Sequence, residues 1–171
     1  MRRAVPTLLS LVAAAGLSAC NAPTSETPTL EVTITSNPDP AAAIGPTGVQ
    51  YKVTNADNSV TYYDYEYRTS FTLTIQETGG LALDITALNL TVQQATGGIV
   101  ITPSGGDQVY FKFNSSAPTN HINANGTATV GFDVWYDLPN GGREALITVG
   151  LTFQDADDNT YSDTHQVKVA P

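Results

Sequence analysis

From Leu30 onward, apolar side chains recur at every second position and not at the 3.6-residue spacing of a helix. Leu30, Val32 and Ile34 alternate in "LEVTI", and Phe71, Leu73 and Ile75 alternate with Thr72, Thr74 and Gln76 in "SFTLTIQET". Val109, Phe111 and Phe113 share a phase, as do Val130, Phe132, Val134 and Tyr136. Ala145, Ile147, Val149, Leu151 and Phe153 form the longest run, and Val167 and Val169 close the series. Successive side chains on a strand point to opposite faces, so each run buries one face and leaves Thr, Gln, Asp or Lys in water. In "LALDITALNLTVQ" the phase changes between Ile85 and Leu88, which predicts a β-bulge near Ala87. Pro38 and Pro40 end the first run and mark it as an edge strand.

Glycine pairs beginning at Gly79, Gly97, Gly105 and Gly141 stand between the runs, where turns need positive φ. No stretch of the mature part carries a convincing amphipathic helix pattern. The expectation is an all-β domain over residues 30–171, a single antiparallel sandwich of about seven to eight strands. Residues 70–170 resemble an immunoglobulin-like or fibronectin type III-like module of the kind found in many bacterial surface lipoproteins. That resemblance implies binding, spacing or scaffolding in place of catalysis.

The N-terminus sets the compartment. Met1, Arg2 and Arg3 precede "AVPTLLSLVAAAGL", an uncharged segment too short to span a bilayer, which takes about 20 residues. A basic head, a short apolar core and small residues at its end make a secretory signal. At the cleavage position stands Leu17-Ser18-Ala19-Cys20, which resembles the lipobox of bacterial lipoproteins. The resemblance implies a signal peptide at 1–19, a diacylglycerol thioether on Cys20, and often an acylated amino group there. A tether at 20–29, broken by Pro23 and Pro28, would then join the anchor to the domain. Asn21 stands where the family's inner-membrane retention signal has Asp, so delivery to an outer membrane is implied if the organism has one. Two or more acyl chains hold a protein stably at a bilayer, each buried methylene contributing roughly 0.8 kcal/mol. Cys20 is the single cysteine, so the mature chain holds no internal disulfide and an acylated Cys20 serves neither redox nor metal chemistry.

Charge narrows the partners. The part after residue 19 keeps five cations (Lys52, Arg68, Lys112, Arg143 and Lys168) against all 16 acids, a formal charge of −11. Phosphate backbones demand clustered Lys and Arg, so nucleic acid is excluded as a partner, and contact with the membrane must come from the lipid. The partners expected of an anchored envelope module are an envelope protein or a glycan.

Catalytic patterns are sparse. The two histidines, His121 and His165, belong to no metal-binding helix motif, and no glycine-flanked serine elbow occurs. His165 shares the phase of Val167 and Val169, which predicts a partly buried, hydrogen-bonded ring. Asp64 and Glu66 fall on one strand face about 6.6 Å apart, a separation in the glycosidase range, yet neighbours on one strand point parallel. No enzyme is expected. In "DADDN", Asp155, Asp157 and Asn159 match the first positions of a calcium loop, but Thr160 and Gln166 stand where its glycine and glutamate belong. A looser calcium site at Asp155, Asp157, Asp158 and Asn159 stays open beside a plain polar turn; no other cofactor is expected.

The most unusual composition is "VTYYDYEYR", read as one strand with Tyr63, Tyr65 and Tyr67 on one face and Tyr62, Asp64 and Glu66 on the other. Rigid rings with a polar end suit protein interfaces and sugar stacking. Trp135, in phase with Asp133 and Asp137 on an outward face, is a second candidate contact. These readings converge on a non-catalytic, lipid-anchored envelope or surface module that binds protein or glycan. The alternatives are a structural accessory subunit that offers a strand edge to a periplasmic or outer-membrane assembly, and, ranked last, a carbohydrate-active accessory enzyme using Asp64 and Glu66. Mass spectrometry of the membrane-extracted protein should find a chain that starts at Cys20 and carries diacylglycerol. An unmodified Cys20 thiol would exclude the anchor.

Overall fold

The computed structural model describes residues 28–98, 100–102, 108–114 and 120–171, and the lipobox with Cys20, the tether up to residue 27 and the Gly105 turn lie outside them. The strands are β1 (Val32–Asn37), β2 (Ala41–Ala42), β3 (Gln50–Thr54), β4 (Val60–Asp64), β5 (Tyr67–Glu77), β6 (Leu83–Gln94), β7 (Val100–Ile101), β8 (Val109–Phe113), β9 (His121–Ile122), β10 (Thr127–Tyr136), β11 (Ala145–Asp155) and β12 (Thr160–Ala170). Two sheets face each other. One runs β1-β5-β10-β8, the other β2-β12-β11-β6-β7 with β9 also on β6, and β3-β4 forms a separate hairpin. This is an immunoglobulin-like β-sandwich, all-β as the period of two predicts, with a single 3-10 turn at Pro139–Gly141 among the described residues.

The alternating positions meet between the sheets. Phe71, Leu73, Ile75, Val130, Phe132, Val134 and Tyr136 come from one sheet, Leu90, Val92, Ile147, Val149, Leu151, Phe153 and Val167 from the other, and all are buried. Phe71 and Phe132 stack at 5.2 Å in the middle of this layer. Burying each such ring removes its apolar surface from water, and truncating one to alanine costs about 3–5 kcal/mol.

Several expectations hold at residue level. The register of β6 on β11 shifts between Thr152 and Phe153, where Ala87 and Ile85 pair and Thr86 has no partner, so the bulge sits at the phase change. Strand β1 is an edge, and beyond Asn37 the chain crosses to the second sheet, where β2 pairs parallel with the end of β12. Half-buried His165 places Nε2 3.0 Å from Ser36 Oγ.

Around residues 50–68 the structure departs from the expectation. "VTYYDYEYR" is not one strand: β4 ends at Asp64 and β5 starts at Tyr67, because the first half pairs with β3 while Tyr67 and Arg68 pair with β10. The extra hairpin, absent from the sequence reading, packs Tyr51 and Val53 on the outward side of β10 at Trp135; Arg68, Ser70 and Asn114 cover Asp133 beside it, and β10 is buried on both faces from Val130 to Tyr136.

At one end of the sandwich Glu77 is fully buried. Its carboxylate accepts hydrogen bonds from the backbone N–H groups of Gly79 (2.7 Å), Gly80 (3.1 Å) and Asn125 (2.8 Å), tying two loops together. Burial opposes the charge, but the converging backbone donors outweigh it and hold this carboxyl below the usual glutamate range. A depressed folded value means the stabilisation is complete above the unfolded glutamate pKa of about 4.3 and is lost as pH falls through the folded value. Glu77→Gln turns an amide donor toward backbone donors and should cost about 2 kcal/mol in urea unfolding at pH 7. The variant should also lose less stability than the parent on acidification below about pH 4.3.

Candidate functional site

The β3-β4 hairpin is short and apolar on one side only, so its stability depends on what lies beneath it. Its turn is locally sealed: Asp57 accepts from Ser59 N at 2.9 Å and Ser59 Oγ at 2.6 Å, and Asn58 takes φ 64°. Tyr51, Val53 and Tyr65 pack on Trp135 in a second small core outside the main one. The Tyr51 hydroxyl donates to Asp137 Oδ2 at 2.8 Å, and Tyr65 N–H donates to Val49 O at 2.8 Å. Burial first, and then the bond to Asp137, push the Tyr51 hydroxyl pKa up, so it stays a donor at any physiological pH.

Where the hairpin base meets the segment Gly45–Gly48 and the β10-β11 connection, an open cleft of about 680 Å³ forms, lined by Tyr63, Asp64, Glu66, Tyr67, Asp137 and Arg143 among others. Tyr63 is 46 % exposed, yet its ring stacks on buried Tyr51 at 5.6 Å. Tyr67 also lines the cleft, 5.8 Å from the buried ring of Tyr136, with the Arg143 guanidinium 6.0 Å over its face. Arg143 also donates to Ala43 O at 3.0 Å, and Asp64 accepts from Gln50 Nε2 at 2.9 Å. Gly141 is required beside Glu66: its φ is 68°, and a Cβ there would stand 3.4 Å from Glu66 Oε2. Three carboxylates against one guanidinium make the field in the cleft negative. An exposed ring held rigid beside carboxylates can stack on a sugar or an apolar side chain and accept hydrogen bonds from its substituents.

The structure separates residues that alternation had grouped. Tyr63 is exposed at the cleft mouth, Tyr65 is buried against Trp135, and Tyr67 bridges the cleft and the main core, so no continuous tyrosine stripe exists. Asp64 and Glu66 line the same cleft, though the strand ends between them. Trp135 does point away from the main core, but it is only 7 % exposed because the hairpin covers it. Arg68 and Lys112 flank its ring, each 5.1 Å from the centroid, and Tyr110 lies 5.4 Å away. It is a packing residue, which corrects its reading as an outward contact. Asp133 is engaged as well, accepting from Arg68 at 2.8 Å, Ser70 at 2.6 Å and Asn114 at 3.4 Å. Burial opposes its ionisation, and these donors outweigh it and hold the carboxyl below the usual aspartate range.

The "DADDN" loop is the β11-β12 turn. Asp155 Oδ1 accepts from Asp157 N and Asn159 N, and Oδ2 from Asn159 Nδ2 and the Tyr161 hydroxyl, all at 2.9 Å. Its carboxylate therefore serves the turn itself. Among the described residues no three His, Cys, Asp or Glu side chains stand together as a metal site. His121 contacts Asp84 at 2.8 Å, with both side chains about half exposed.

Sequence reading missed Tyr51, which anchors the hairpin, and Arg143, which walls the cleft. A signal was present for the first: "QYKVT" alternates, and "NADNS" follows as turn chemistry before the next β-rich run. For Arg143 there was none, since its role comes from a contact with Ala43 a hundred residues away in the chain.

The fold and cleft define a β-sandwich domain with an aromatic, acidic recess at one end. No protein-family model and no curated protein matches the chain. Several solved structures are similar at low identity, among them the following three. A structural-genomics target is 12 % identical with a TM-score of 0.48, covering 83 % of this chain and 86 % of that one. A Bordetella pertussis protein described as ApaA is 10 % identical with a TM-score of 0.49, over 82 % and 94 %. The ASH/PapD-like domain 7 of human CEP192 is 13 % identical with a TM-score of 0.41, over 92 % and 96 %. At these values the neighbours carry no functional argument, and the strand pairing above defines the architecture. Tyr51→Phe should cost about 1 kcal/mol in urea unfolding through loss of the bond to Asp137. Tyr51→Ala, by uncovering Trp135, should shift its fluorescence to longer wavelength.

Proposed function

We propose that this protein is a non-catalytic lipoprotein, anchored outside the cytoplasm through Cys20, that binds an envelope protein or glycan in the cleft beside Tyr63. The observation that carries the binding reading is the state of Tyr63: it is exposed at a cleft mouth, yet stacked on a buried ring. An exposed aromatic held in place loses little side-chain entropy when a partner covers it. The anchor reading rests on the Leu17–Cys20 sequence and its preceding signal. Lipid on Cys20 is the one covalent group in this reading, and the protein stands on the outer membrane where the cell has one.

A second reading, a structural subunit that adds a partner strand to its sheet, finds support at β8. That strand is a sheet edge with Tyr110 48 % and Phe113 43 % exposed. The stretch of β12 ahead of its pairing with β2 suits it less, since Asp163 there caps Thr164 N at 2.7 Å, and a charged side chain on such a stretch discourages strand addition.

Full-length protein should bind isolated cell envelopes, and the pair Tyr63→Ala and Glu66→Gln should weaken that binding at least tenfold with an unchanged melting temperature. Equal binding by the double variant would remove the cleft from the reading and leave the β8 edge. Protease shaving then places the domain. Digestion in intact cells means surface display, and protection until the outer membrane is opened means the periplasm.

A further inference from the structure

Chain polarity fixes which end of the sandwich the anchor can reach. The described chain begins at Pro28, and Thr29 donates its N–H to Gly79 O at 3.0 Å. A Cβ on Gly79 would stand 1.8 Å from Thr29 O, so the incoming chain is seated directly on that glycine. Thr78 N then donates to Glu31 O at 2.9 Å, which fastens the next residues to the same loop. This end also carries Glu77, Asn125 and the Asp155–Asn159 turn.

The cleft lies at the other end. Strand β5 runs from Tyr67, in the cleft wall, to Glu77, and β10 runs from Thr127, opposite Gln76, to Tyr136, opposite Tyr67. Ten residues of extended chain separate Tyr67 from Glu77, about 34 Å at roughly 3.4 Å per residue. From Cys20 to Pro28 the backbone reaches at most about 28 Å at roughly 3.5 Å per residue. The mature charge of −11 also resists laying the domain flat against anionic headgroups.

We infer that the anchored protein stands on its Gly79 end and presents the Tyr63–Glu66 cleft away from the bilayer. The cleft's occupant is therefore a molecule beyond the anchoring membrane and not one of that membrane's own headgroups. This inference rests on the lipid-anchor reading above.

The test uses full-length lipidated protein in vesicles that contain a fluorescence acceptor on a lipid headgroup. Acylated Cys20 is the single native cysteine, so an introduced thiol takes a maleimide donor selectively. Glu144→Cys and Asp157→Cys place it at exposed positions just beyond opposite ends of β11, away from the core. The Asp157 label should transfer energy at least threefold more efficiently than the Glu144 label. Equal transfer, or the reverse ranking, overturns the upright orientation while leaving the anchor intact. Failure of the parent protein to float with vesicles, with Cys20 reacting as a free thiol, overturns the anchor and this inference together.

Discussion

Strand β10 has no solvent face over most of its length, and the site depends on that. Val130, Phe132, Val134 and Tyr136 fill the space between the sheets, while Trp135 on the opposite side is covered by Tyr51, Val53 and Tyr65. A strand apolar on one side makes an ordinary sandwich half. A large indole on the other side would be an exposed apolar surface without a cover, and the β3-β4 hairpin supplies it. The hairpin in turn has too little apolar area to stand alone. Each stabilises the other, and the Tyr51–Asp137 bond fixes the angle at which they meet.

The cleft is a by-product of this arrangement. Placing the hairpin over Trp135 leaves its base leaning against the β10-β11 connection, and the gap between them is where Tyr63, Glu66 and Arg143 converge. The rings closest to the core, Tyr51 and Tyr136, are buried and satisfied, Tyr136 by donating to Arg143 O at 2.8 Å. Tyr63, stacked on Tyr51, and Tyr67, tilted against Tyr136, line the cleft. Rigidity thus passes outward from buried ring to accessible ring, which is what a preformed contact surface requires.

Charge is handled locally throughout. Glu77 is enclosed by backbone donors, Asp133 by Arg68, Ser70 and Asn114, and Asp155 by its own turn. These three carboxylates are spent on structure; those in the cleft are only partly so. Asp137 and Asp64 each hold one hydrogen bond to the hairpin, and Glu66 faces the open space beside Gly141. The negative field of the recess is therefore not cancelled from within.

Alternation of apolar residues determined the sandwich, its core and a bulge near Ala87, because a period of two reports which side of a strand is dry regardless of its neighbours. The same rule went astray at "VTYYDYEYR" and at Trp135, where a residue can be dry on the outward face as well. Periodicity records phase; it does not record what a third element covers. Whether Tyr65 is a contact or a core residue was decided by the hairpin docking on β10, through pairings far apart in the chain such as Tyr51 with Asp137. Local spacing carries no trace of such a meeting, and only the packed tertiary structure brings those side chains together.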